Sequence, residues 1–530
     1  MTQQPRAGLA DRSARDRRRI FRTLPIPAIV LLAAIAAIAA IAGTPAPAAA
    51  AGWLAGEIQI ELASGVPIDA INADYETTVI DSLPPLYRLD LPDGGTEDEY
   101  LLLMRNDPRI VEVEYVWEGE APEGSHQMVV AAVGETIEGY LDQNVAVRLH
   151  LDEIHEHARG DGVIVALVDG GVRMDHEALD GAIEPGGIDF VDGDDEPYDE
   201  ANGIDDDGDG TVDEGVGHGT MVAGILHLVA PGAKILPIRV LNDEGVGQTF
   251  TVAKGVRYAV DHGARVINLS LGLPVDCSIL RHEVERAESL GVALIGAAGN
   301  DGVDRPYYYP ASNPECLSVA ALDSSDVKAS FSNFNEAVDV SAPGVGILSA
   351  YYDGGYAIGA GTSFAAPFVS GQCALIRGMS PDMPVEAVYR ASREGIVDIY
   401  GIPENDPFLG LLGTGRFDAL STLENTPFAA GVGDSPFAWG GAALRVEPNP
   451  ARAGEKARIG WLAGEPANAT AIVFDLAGRK VRAHLDRDAR GGFSWDGRDE
   501  RGSRVAPGVY FVRVESDAGR STARMVRIRE

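Results

Sequence analysis

The sequence predicts an α/β protein: a mostly parallel sheet flanked by helices, preceded by a small α+β domain and followed by a small all-β sandwich. Three observations carry this. Near-continuous apolar runs recur through the middle of the chain, at Val163–Val168, Lys234–Val240, Val266–Leu271 and Val292–Gly296, as expected of strands buried on both faces. Helical stretches at 253–262 and 278–290 lie between or beside them, the alternation that builds a parallel sheet. The two flanks change character, to strands of period two at one end and short strands between turns at the other.

The elements follow in order along the 530 residues. Residues 1–51 begin with Arg15, Arg17, Arg18, Arg19 and Arg22, continue in the apolar run Ile26–Ala42, and end in an Ala/Pro-rich stretch. Basic, apolar and small-residue regions in that order describe a secretory signal peptide. The run is near the short limit for crossing a bilayer, so a retained anchor is the competing reading. The expectation is a secreted or cell-surface protein that meets the membrane only during export.

Residues 53–120 alternate strands of period two (Glu57–Leu62, Tyr87–Leu91, Ile110–Val116) with helices at 67–76 and 96–106. Residues 121–145 read as linker and 146–425 as the α/β body. Residues 426–441, rich in Gly, Ala and Pro, read as a second linker. Residues 442–530 carry short strands such as Ala471–Phe474 and Gly508–Val514, as in a small sandwich.

Charge narrows the partners. The chain has a formal net charge of −37; the first 23 and last 90 residues are each net positive by 5, leaving −47 on the middle. Such a body repels nucleic acid and anionic membrane and attracts cations. A monomer is expected. The three cysteines are too few for a disulfide scaffold or a zinc site. If one bridge forms, Cys277–Cys316 is the expected pair, with Cys373 a small buried residue in a helix.

Three segments carry chemistry. Val168-Asp169-Gly170-Gly171 ends an apolar strand, Gly217-His218-Gly219-Thr220-Met221-Val222-Ala223-Gly224 opens a helix, and Gly361-Thr362-Ser363-Phe364-Ala365-Ala366-Pro367 leads into another. A serine hydroxyl needs an adjacent base to become a nucleophile. Imidazole titrates near working pH and serves as that base. A buried Asp on its other nitrogen fixes the tautomer and steadies the positive charge. Singly, each residue has a duller reading: strand-end cap, structural histidine, turn.

Together these motifs resemble the subtilisin-like serine proteases, peptidase family S8, over residues 146–425. Ala230-Pro231-Gly232-Ala233, Val266–Gly272 and Gly413-Thr414-Gly415-Arg416 add to the likeness. The Asp, His, Ser order is the one known for subtilisin. The resemblance implies a subtilisin-like fold and a serine endopeptidase with Asp169, His218 and Ser363 as triad. It implies Asn300, in Ala297-Ala298-Gly299-Asn300, as oxyanion donor. It implies that substrate pairs as a strand with Ser270, Leu271 and Gly272, and that Tyr308 narrows the pocket for the residue before the cut. Residues 53–120 resemble a propeptide, which would inhibit its own catalytic domain until cut; a retained N-terminal domain is the alternative. Residues 442–530 resemble Ig-like modules of secreted bacterial proteins. Two positions depart from the family: Gly170 replaces a hydroxyl residue, and Phe364 replaces Met.

One acidic stretch is ordered like a metal loop. Asp205, Asp207 and Asp209 alternate, Gly210 follows, and Asp213 falls at a ninth position, as in most of an EF-hand loop. The closing Glu is missing, since Val216 stands there. Asp189, Asp192, Asp194, Asp195 and Asp199 are available to complete a shell. Carboxylates without His or Cys favour Ca2+; a solvated acidic loop is the competing reading. A functional alternative also stands beside the protease: a catalytically silent surface or adhesion protein that keeps the fold.

Overall fold

A computed structural model of the chain describes residues 52–121, 131–205, 210–425 and, with short gaps, 444–528. The signal-like segment and the linker 426–441 lie outside the described residues. No described helix is long and apolar enough to cross a membrane.

The N-terminal unit is an antiparallel sheet with two helices, Ile68–Tyr75 and Glu97–Met104. Its strands run Thr78–Leu83, Leu86–Asp90, Trp53–Leu62, Ile110–Glu120 across the sheet. Alternation puts Ile58, Ile60 and Leu62 on one face, against Ile71, Leu101 and Met104. Thr96 caps the second helix, its side chain accepting from Glu99 N–H at 3.4 Å. Thr78–Leu83 was not legible in the sequence, because it is mostly exposed and its apolar residues do not alternate with polar ones.

The body holds a nine-stranded sheet. Lys234–Arg239, Ile164–Asp169, Val266–Leu269, Ala293–Ala297, Cys316–Leu322 and Val338–Pro343 lie side by side and parallel. The chain leaves Ile164–Asp169 for a neighbour on one side and returns to a neighbour on the other. That change of direction opens a crevice at the carboxyl ends of Ile164–Asp169 and Val266–Leu269, where open α/β sheets bind ligands. Residues 131–145, within the stretch 121–145 read as linker, are part of this body. Ala131–Val133 pairs with Tyr356–Ala360, and buried Tyr140 donates to Gly224 O at 2.6 Å.

All three cysteines are free and buried, which corrects the expected Cys277–Cys316 bridge. Cys277 follows the carboxyl end of one parallel strand and caps the helix Ser278–Ser289. Cys316 opens another strand at its amino end; both residues lie in one buried apolar cluster as free thiols.

The C-terminal unit is two β-sheets, of four and five strands. Ile459, Val473, Trp495, Val512 and Met525 fill the space between them.

Candidate active site

Asp169 is the last residue of its strand and is buried. His218 is the first residue of the helix His218–Val229. His218 Nδ1 lies 2.7 Å from Asp169 Oδ1. Two glycines make the approach possible. Gly217 has φ 92°, and a Cβ there would sit 2.1 Å from the Tyr351 ring. A Cβ on Gly219 would sit 2.0 Å from Gly171 O and 3.1 Å from Asp169 Oδ1. Asp169 Oδ1 also accepts from Gly170 N–H at 2.7 Å. Its other oxygen, Oδ2, is buried and has no hydrogen-bond partner among the described residues.

Ser363 is the second residue of the long helix Thr362–Met379 and is buried. Pro367, four residues on, has no N–H to give Ser363 O, as a helix interior would require. Ser270 Oγ donates to that carbonyl instead, at 2.8 Å. Ser363 Oγ in turn donates to Ser270 O at 3.2 Å. Ser270 is held by Asn268 Nδ2 at 2.9 Å, and Asn268 Oδ1 accepts from Ser370 Oγ at 2.8 Å. Phe364 places its ring 5.6 Å from the imidazole of His218, so the residue standing in place of Met packs beside that histidine.

Asn300 is buried against the start of the same helix. Its Oδ1 accepts from Thr362 N–H and from Thr362 Oγ1, both at 2.9 Å. An N–H can only donate, so the amide oxygen is the atom facing Thr362 and the NH2 end points the other way. Sequence reasoning missed Thr362 as the residue that fixes this orientation, although it lies inside the Gly-Thr-Ser motif.

A cleft runs beside these groups. Glu118–Glu120 pairs antiparallel with Val246–Gln248, and Ala121 N–H donates to Gly245 O at 2.9 Å. On the other side, a Cβ on Gly119 would lie 3.5 Å from Gly272 O. Residues 118–121 thus occupy the slot between 245–248 and 272–273, next to Leu271, which is buried. Tyr308 lies behind Gly272: a Cβ on Gly272 would be 3.5 Å from its ring, and one on Gly299 would be 3.0 Å away. Ser270, Leu271, Gly272 and Tyr308 are therefore brought to one place.

The acidic loop is only partly described, and Asp207 and Asp209 lie outside the described residues. Asp205 Oδ2 accepts from Gly210 N–H at 3.1 Å. Asp213, at φ 56°, accepts from Asn202 N–H at 2.9 Å and from Gly203 N–H at 3.0 and 3.1 Å, closing the neck of the loop. Three of the extra carboxylates are committed elsewhere. Asp189 and Asp192 pair with buried Arg239 at 2.7 and 2.6 Å, and Asp199 accepts from the helix that begins at His218. Among the described residues no group of three or more His, Cys, Asp or Glu side chains is placed to hold a metal ion.

The Subtilase family model matches residues 160–395. Thermitase of Thermoactinomyces vulgaris is 41% identical over 229 residues, which are 41% of this chain and 76% of thermitase. The chain belongs to the subtilase family. It is by that membership a serine endopeptidase. Subtilisin BL of Lederbergia lenta is 36% identical over 231 residues, or 42% of this chain and 78% of that subtilase. Subtilisin NAT of Bacillus subtilis subsp. natto is 35% identical over 234 residues, with 42% of this chain and 57% of that protein matched. Among solved subtilase structures, fervidolysin of Fervidobacterium pennivorans, described as a keratinolytic enzyme related to subtilisin, superposes with TM-score 0.58. It is 21% identical, with 90% of this chain and 78% of fervidolysin covered. That likeness concerns the fold.

Proposed function

We propose that this subtilase is an exported endopeptidase that cleaves polypeptides through an acyl-enzyme on Ser363. His218 takes the hydroxyl proton as Ser363 Oγ attacks the substrate carbonyl carbon. The C–N bond breaks as His218 returns that proton to the leaving amine. Water then repeats the sequence and frees the acid. Asp169 holds the imidazole in the tautomer that presents Nε2 to the serine. The Asn300 NH2 group and the Ser363 N–H stabilise the oxyanion. The observation that carries this reading is the Asp169–His218 contact at 2.7 Å together with Asn300 anchored on the residue preceding Ser363.

Residues 53–120 are proposed to be a propeptide that inhibits its own catalytic domain. What supports this is the strand 118–121, which fills the slot a substrate would pair with. Glu114 adds a second hold, accepting from Ser278 N–H and Ile279 N–H at 3.1 and 2.9 Å at the start of a body helix. The basic and apolar segment 1–51 supports export. Calcium is proposed to neutralise the loop that includes Asp205 and Asp213, for which the count of adjacent carboxylates is the support. The C-terminal sandwich, read as an Ig-like module, has no catalytic cluster in the sequence.

Labelling with a fluorophosphonate tests the central claim. The processed protein takes the label on Ser363, and Ser363→Ala takes none. Equal labelling of the two would favour the silent surface protein.

A further inference from the structure

Gly217 creates a problem that the helix beginning at His218 must solve. Helix amino ends leave N–H groups unpaired, and Ser, Thr, Asp or Asn at the capping position normally accepts from them. Here the Tyr351 ring and φ 92° force glycine at that position, and glycine has no side chain to offer. The helix that carries the catalytic base would start uncapped.

The geometry points to Asp199 as the cap, supplied from outside the helix, and so as a positioning residue for His218. Asp199 Oδ1 accepts from Gly217 N–H at 2.7 Å. Its Oδ2 accepts from Thr220 N–H at 3.2 Å and from the Thr220 hydroxyl. The same hydroxyl accepts from Arg173 N–H at 2.9 Å. On its own chain, Asp199 follows a segment pinned to the loop after Asp169, because Val172 N–H donates to Pro197 O at 3.0 Å. One buried carboxylate therefore ties the turn that follows Asp169 to the turn that begins with His218. The separation of base and orienting carboxylate depends on that tie. A negative group at a helix amino end is also favoured by the helix dipole.

The groups facing Asp199 are Asp169 from the strand end, Gly217 and Thr220 from the helix start, and Tyr351 from the hairpin 345–360. Burial pushes its carboxyl up to about 6, with the charge of Asp169 adding to the rise. Protonation there replaces a two-oxygen acceptor with a group that must donate. The cap weakens as pH falls through that value, and the acid side of the rate profile carries a contribution separate from the base itself.

This assignment rests on His218 being the base, and the test separates the two. Fluorophosphonate titration sets the active-site concentration for each variant, and kcat and KM are measured on a peptide anilide from pH 5 to 9. Asp199→Asn keeps the shape but loses one acceptor oxygen. Its kcat per titrated site falls about tenfold to a hundredfold, the scale of misplaced catalytic groups, with KM little changed and a simpler acid limb. Thr220→Ser, which keeps the donor, retains more kcat than Thr220→Val, so a variant that fails to fold does not leave the matter open. Unaltered kcat and pH profile in Asp199→Asn, with Ser363 labelling intact, overturns the role of Asp199. Failure of the unaltered enzyme to label overturns the underlying assignment of the base and nucleophile.

Discussion

Gly170→Ser restores a hydroxyl beside a carboxylate that lacks one, and its effect can be worked from the structure. Asp169 Oδ2 is buried without a hydrogen-bond partner among the described residues. An acceptor left so costs about 1–3 kcal/mol, and a hydrogen bond to a charged group contributes about 1.5–3 kcal/mol. A Cβ on Gly170 meets nothing within 4 Å, and Gly170 is not among the residues with positive φ, so the side chain enters without strain. Replacing glycine also narrows the unfolded ensemble, for about 0.4–1 kcal/mol. Gly170→Ala measures that backbone contribution alone. The serine variant should exceed it by about 1–2 kcal/mol after the cost of fixing the hydroxyl, most of the bond's worth. At about 2–4 °C per kcal/mol for a body of this size, the difference in Tm between Ser and Ala variants is several degrees. Calorimetry at pH 8, in a Ser363→Ala background to prevent self-digestion, reads it directly. Equal Tm values for the two variants would refute the claim that Asp169 Oδ2 goes unserved.

Tyr308 fills the space between Gly272 and Gly299, so the enzyme should prefer small residues before the cut; Tyr308→Gly should raise the ratio of kcat/KM for Phe over Ala peptide anilides by about tenfold or more. An unchanged ratio would place the pocket elsewhere. Glu114→Ala leaves Ser278 and Ile279 N–H uncapped, at about 1–3 kcal/mol, read as faster hydrogen exchange in the first turn of that helix. Burial raises the Glu114 carboxyl above its usual range, so its ionised form is disfavoured while the N-terminal unit is docked. The docked state is therefore held most firmly in acid and loosens as pH rises through that raised value; Glu114→Gln should flatten this dependence. Calcium removal by a chelator should lower Tm and make the loop 200–214 easier to nick with an added protease, and unchanged values would sink the calcium reading.

Much of this protein is legible in its residues alone. Burial on both faces forces long apolar runs, so Ile164–Asp169, Lys234–Arg239 and Ala293–Ala297 declared a parallel sheet. The chemistry of a weak nucleophile forces a base and an orienting acid nearby, so Asp169, His218 and Ser363 stood out with their glycines. Other features depend on contacts between residues far apart in the chain. Asp199 caps a helix that starts 19 residues later, across the acidic loop, and no local pattern distinguishes it from its acidic neighbours. Asp189 and Asp192 pair with Arg239, because a buried guanidinium must be neutralised where it lies. The edge Thr78–Leu83 is too exposed for periodicity to mark it. The tail 118–121 extends an ordinary alternating strand; only the meeting of two folded units shows that it lies in the cleft. Sequence alone determines which groups can react, since that is a property of residue types. Tertiary structure decides which groups hold them in place, since a hydrogen bond depends on distance in space and not on separation along the chain.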